Sequence, residues 1–149
     1  GKSACNAITM STLTEKNYPT LAFRYLCLTT HYRKPLSFHW EALDGAKNAL
    51  ASLQEKIAHF PAPKVGIAEF EEKFMDAVND DLNTPKALAI VWELVNSDAG
   101  DLDKAATLKL IDAALGLQLF TCNDVEIPQQ VYALIDQRKM YREPTDYKN

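Results

Sequence analysis

Apolar residues in this chain recur at intervals of three and four, without sustained alternation. That spacing lines one face of a helix, whereas alternation would line one face of a strand. The pattern predicts an all-α fold of about six or seven helices. Leu13 to Lys16 reads as a short first helix, with Ser11 or Thr12 as its cap and Asn17 ending it. Pro19 sits where a first helical turn tolerates proline, and Leu21, Ala22, Tyr25, Leu26 and Leu28 carry an apolar helix towards His31. The segment HYRKPLSFHW reads as a loop, because Pro35 cannot continue a helix, and Ser37 is a cap for the next one.

From Trp40 to about Phe60, apolar residues at Leu43, Ala46, Leu50, Leu53 and Ile57 predict a long helix. PAPKVG is a linker by composition. Ile67, Phe70, Phe74 and Val78 mark another helix, with Glu69 and Lys73 spaced for an i,i+4 ion pair. In DDLNTPKALAIVWEL, residues 80–94, Thr84 is placed to cap a helix whose first position is Pro85. Leu88, Val91, Trp92 and Val95 form its buried stripe, ending near Asn96. After the turn SDAGD, a helix carries Leu102, Ala105, Leu108, Ile111 and Leu115 and is closed by Gly116. A last one begins at Pro128, with Val131, Leu134 and Ile135.

Composition narrows the class. With 149 residues, 47% hydrophobic and 24% charged, the chain is one ordinary globular domain or slightly more. No apolar run reaches the roughly 20 residues of a membrane span, and no secretory signal opens the chain. Cys5, Cys27 and Cys122 are odd in number and widely spaced, which fits small buried hydrophobes in a reducing cytosol rather than a disulfide framework. The formal net charge of −4 means that any contact with nucleic acid must rest on a local patch. No glycine-rich phosphate loop is present.

Candidate chemistry is correspondingly sparse. Asp80 and Asp81 are adjacent carboxylates, the raw material of an acid/base pair, but no nucleophile accompanies them. They read as a helix junction, where acids face unpaired amides and the positive end of the dipole. His31, Tyr32, Arg33 and Lys34 form the densest basic and aromatic cluster, suited to phosphate contacts and base stacking or else a solvated loop anchored by Tyr32. Arg138, Lys139 and Arg142 give a second basic run on the last helix, though a charge run at a chain end is usually just solvated surface. His31, His39 and His59 lack the close pairing of a helical zinc site, so no metal is expected. Lys2 followed by Ser3, in the opening GKSACNAITMSTL, offers a point charge for a phosphate or is a frayed terminus.

Taken in order, KSACN, YPTLAFRYLCLTTHYRKPLSF, WEALDGAKNAL and DAVNDDLNTPKALA resemble the C-terminal half of cysteinyl-tRNA synthetases, from Lys2 to about Lys148. HYRKPLSF and DDLNTPKALA are the specific parts; KSACN is shared in kind with other class I synthetases. The ligases that join cysteine to a pseudo-disaccharide in mycothiol synthesis are similar here too.

The resemblance implies a KMSKS-loop remnant and stem-contact region over residues 1–38, then an antiparallel helical bundle of the anticodon-binding type over 39–149. It places Lys2 and Ser3 at the last two positions of the KMSKS signature, with Lys2 holding ATP phosphates as cysteine is activated. Cys5 stands where the family has glycine and Ala7 where it has an aromatic, so the loop lacks a glycine's backbone freedom. His31, Arg33, Lys34, Arg138, Lys139 and Arg142 become candidates for contact with the tRNA specific for cysteine.

The family's HIGH signature, nucleotide-binding sheet and zinc-bound cysteine site lie upstream of this region. ATP and zinc are therefore expected in the parent enzyme, no cofactor in this chain, and no catalysis by the chain alone. Gly1 reads as a remnant of cleavage or cloning. The expected setting is cytoplasmic, with the missing catalytic domain and tRNA as partners. The rival expectation is a non-catalytic helical module that self-associates through exposed apolar surface.

Overall fold

The computed structural model describes residues 9–63 and 65–120. Among them lie six helices and no strand: α1 (Met10–Glu15), α2 (Thr20–Leu28), α3 (Trp40–Ile57), α4 (Ala68–Asn79), α5 (Thr84–Asn96) and α6 (Asp101–Leu115). The fold is all-α, as the periodicity predicts. The helix expected from Pro128, with Arg138, Lys139 and Arg142, lies outside the described residues, as do Lys2 and Ser3.

One apolar core takes a stripe from every helix. Leu13, Ala22, Tyr25, Leu43, Leu50, Leu53, Phe74, Leu88, Val91, Leu108 and Ile111 all belong to it. Leu102, expected in the α6 stripe, is instead 42% exposed, while Ala105 and Leu108 are fully buried. Cys27 is also exposed rather than a buried filler, since it follows Tyr25 and Leu26 on α2 and is turned off their face.

Several boundaries move from their expected places, each for a local reason. Thr9, not Ser11 or Thr12, caps α1: its Oγ1 accepts the Thr12 amide at 3.3 Å and also contacts the hydroxyls of both other candidates. α2 starts at Thr20 with Pro19 as its cap residue. α3 follows directly from His39, with no side-chain cap from Ser37, and ends at Ile57, three residues before Phe60. Asn83 caps α5 through Oδ1 and the Lys86 amide, which leaves Thr84 as the first helical residue.

α4 and α5 form an antiparallel hairpin. Lys73 of α4 reaches Glu93 near the end of α5 at 2.9 Å while also pairing with Glu69 at 2.9 Å, the i,i+4 partner that the sequence predicts. The corner between them is tight. Asp81 and Leu82 both take left-handed backbone angles, with φ of 53° and 52°. The Leu82 and Asn83 amides, each at 3.0 Å, donate back to the carbonyls of Val78 and Ala77, closing the end of α4.

Three polar contacts fix the remaining elements. Lys104, only 6% exposed, donates to the carbonyl oxygens of Val95 (3.3 Å) and Ser97 (2.5 Å), so a buried ammonium meets the end of α5. Thr107 Oγ1 accepts the Ile67 amide at 2.7 Å and pins the start of α4 to α6. Asp112 accepts the amides of Leu117 and Leu119 at 2.9 and 2.8 Å, guiding the chain past Gly116 so that both leucines enter the core.

Candidate nucleic-acid interface

The HYRK loop leaves α2 and returns along it in extended form. Phe38 anchors the return, its ring centroid lying 6.2 Å from that of Phe23 and 5.3 Å, edge-on, from that of Trp40. Trp40 in turn packs against Tyr18 at 5.5 Å. At the other end, the Lys34 amide donates to the His31 carbonyl at 2.8 Å, closing a turn that presents the four side chains.

The α4–α5 corner comes up against this turn. Arg33 grips Asp81 in bidentate fashion, Nε to Oδ2 at 2.5 Å and Nη2 to Oδ1 at 2.9 Å. The Tyr32 hydroxyl donates to Asp81 Oδ1 at 2.6 Å. His31 Nε2 lies 3.8 Å from Oδ2, while its Nδ1 accepts the Arg33 amide at 3.3 Å, an arrangement that places the neutral ring's proton on Nε2, towards the acid. His31 also stacks on Tyr32, with centroids 5.0 Å apart, and the Arg33 guanidinium lies 5.2 Å from the Tyr32 ring centre. One carboxylate thus organises three successive side chains.

Charge follows the geometry. The hydrogen bonds from Arg33 and Tyr32, with the field of His31, hold the Asp81 carboxyl below the usual carboxylate range. Its hydrogen bonds with Asp81 push the Arg33 guanidinium up, and the same partner raises the Tyr32 phenol. Lys34 is exposed, and its ammonium has no partner among the described residues.

The expectation for Asp80 and Asp81 is a helix junction, and a junction is what they form. They do not cap the following helix, however. Asp80 ends α4 and accepts from Asn83 Nδ2 at 3.2 Å, while Asp81 turns away to the loop. Among the candidate residues, the structure brings His31, Arg33 and Lys34 together; His39 and His59 are exposed elsewhere. No group of three or more His, Cys, Asp or Glu side chains suited to a metal occurs among the described residues. The role of Asp81 has no local signature, since its partner is 48 residues away.

Comparison with known proteins bears on the same two segments. A DALR domain model matches residues 73–119, from within α4 to the exit from α6. Cysteine–tRNA ligase 1 of Burkholderia lata is 38% identical over 148 residues, which take in 98% of this chain and 32% of that protein. Over nearly its whole length the chain matches part of a cysteine–tRNA ligase. Cysteine–tRNA ligases of Novosphingobium aromaticivorans (34% identity, 98% of this chain, 34% of that protein) and Opitutus terrae (34%, 98% and 32%) agree. The chain spans about a third of the length of these curated relatives and matches their C-terminal part. The α4–α5–α6 unit is the DALR portion, and the HYRK loop is held against it by Asp81.

Proposed function

We propose that this chain is the tRNA-binding region of a cysteine–tRNA ligase, gripping the tRNA that the whole enzyme charges with cysteine using ATP. One observation carries the reading: the two segments most specific to the resemblance, far apart in sequence, meet as one surface cluster of cationic and aromatic groups. An exposed ammonium beside a braced aromatic loop suits phosphate and base contacts in a protein whose overall charge of −4 repels RNA elsewhere. The DALR helices then serve as the support that faces the anticodon side of the tRNA.

The same proposal gives Lys2 a hold on ATP phosphates and assigns Arg138, Lys139 and Arg142 a second contact with the tRNA. ATP activation and the zinc-bound cysteine site belong to the catalytic half, and the working location is the cytoplasm. The test is a fluorescence-anisotropy titration with tRNA specific for cysteine and a non-cognate tRNA at two salt concentrations. Salt-sensitive binding that prefers the cognate tRNA supports the reading. Equal, weak binding of both, or none, overturns it.

A second reading, a self-associating helical module, has one observation in its favour. Met10, Leu21, Phe23, Arg24 and Cys27 line an open groove of about 510 Å³. A concentration-dependent dimer in sedimentation, with no affinity for RNA, would select it.

A further inference from the structure

Resting on the tRNA reading, we infer that Asp81 is a specificity-determining residue: by holding Arg33 it leaves Lys34 as the side chain through which the loop meets a nucleic-acid phosphate. Both fork positions used by Arg33 are filled by a tethered carboxylate. A phosphate oxygen must displace that partner to gain the same contact. Seen from several ångströms away, Arg33 and Asp81 form a neutral pair whose fields largely cancel, whereas Lys34 presents a whole positive charge.

The surroundings strengthen the pair. An isolated exposed ion pair is weak, but this acid also takes the Tyr32 hydroxyl and faces His31, so its position is fixed from several sides. Tyr32 is engaged as well, by His31 and Arg33 at its ring and by Asp81 at its hydroxyl. The turn closed by the Lys34 amide and the His31 carbonyl sets the lysine at the loop's outer end, just before Pro35. A loop with four apparent contact residues thus offers one uncommitted cation among the described residues. Its electrostatic attraction for any RNA is kept small, and discrimination is left to shape and base contacts.

The experiment measures the salt dependence of binding to cognate and non-cognate tRNA for the full chain and its Lys34→Gln, Arg33→Gln, Asp81→Asn and Asp81→Asn/Arg33→Gln variants. Losing one phosphate contact lowers the log–log slope by about 0.7–0.9. Lys34→Gln is expected to lose that amount; Arg33→Gln alone uncovers the Asp81 carboxylate beside Lys34, so the pair is read from the double variant. Asp81→Asn keeps an acceptor but removes the charge. It is expected to add about 0.7–0.9 to the slope and to tighten non-cognate binding several-fold, and the double variant to return to the wild-type slope. A double variant that loses as much slope as Lys34→Gln overturns the inference while leaving tRNA binding intact. No tRNA binding by the wild-type chain overturns both. Should Asp81→Asn fail to fold by circular dichroism, Lys34→Gln still decides, an unchanged slope on it overturning the inference.

Discussion

The indole N–H of Trp92 donates to the phenolic oxygen of Tyr25 at 2.9 Å, tying α2 to α5 across 67 residues. Tyr25 is buried, so removing its oxygen strands a donor away from water. Tyr25→Phe is expected to lower stability by about 1–3 kcal/mol. Urea unfolding followed by tryptophan fluorescence measures it. A loss below a few tenths would mean that water replaces the phenol.

Lys104→Met keeps the aliphatic stem in place and removes the ammonium. The Val95 and Ser97 carbonyls lose their donor, and the end of α5 loses the cation that matches its dipole. The expected cost is about 1–3 kcal/mol. The same replacement at exposed Lys109 is expected to change stability by less than about 0.5 kcal/mol. Thermal melts of the two variants side by side give the comparison.

Gly116 ends α6 with φ +63°, and a Cβ there would stand 2.5 Å from an Arg24 Nη1. The guanidinium is the far end of a flexible side chain and can swing aside; the backbone cannot. Gly116→Ala is expected to destabilise by about 1 kcal/mol, with Gly116→Asn costing less because asparagine tolerates the left-handed region better. Chemical denaturation of both variants reads the ordering.

Phe74 is 2% exposed at the centre of the α4–α5 hairpin. Phe74→Ala is expected to cost about 3–5 kcal/mol, enough to leave a domain of this size barely folded. Loss of the cooperative unfolding transition at room temperature is the signature to look for.

The loop clasp is expected to weaken in acid. The carboxyl of Asp81 is held below its ordinary range, so the folded state binds fewer protons there than the unfolded one. Its contribution is full above the ordinary aspartate value near pH ~4 and disappears as pH falls through the lower folded value. Nuclear magnetic resonance of the Tyr32 and His31 rings across that range, compared with Asp81→Asn, tests the sign. Clasp signals that change near neutral pH and stay flat through the acidic range would contradict it.

The helices were legible wherever an apolar stripe of three or more turns had to face the core, as in α3, α4 and α5. Boundaries were less so, because the competing cap residues are chemically alike. Thr9, Ser11 and Thr12 share hydrogen bonds with one another, and Asn83 stands beside an equally capable Thr84. The cluster of His31, Tyr32, Arg33 and Lys34 could be picked out by composition. Its division of labour could not, because an acid two whole helices further along decides which cation is committed. Lys104 was hidden for the same reason: a lysine early in a helix opposes that helix's own dipole, and the carbonyls at the neighbouring α5 terminus are what draw it inside.

The separation between Arg33 and Asp81 is also an interval of time. A ribosome adding about 5–20 residues per second takes roughly 2–10 s to cross 48 residues. Arg33 is therefore made before the acid that restrains it exists. Until then Arg33 is an uncommitted cation on a chain growing at an RNA-rich surface, and closing the α4–α5 corner withdraws it.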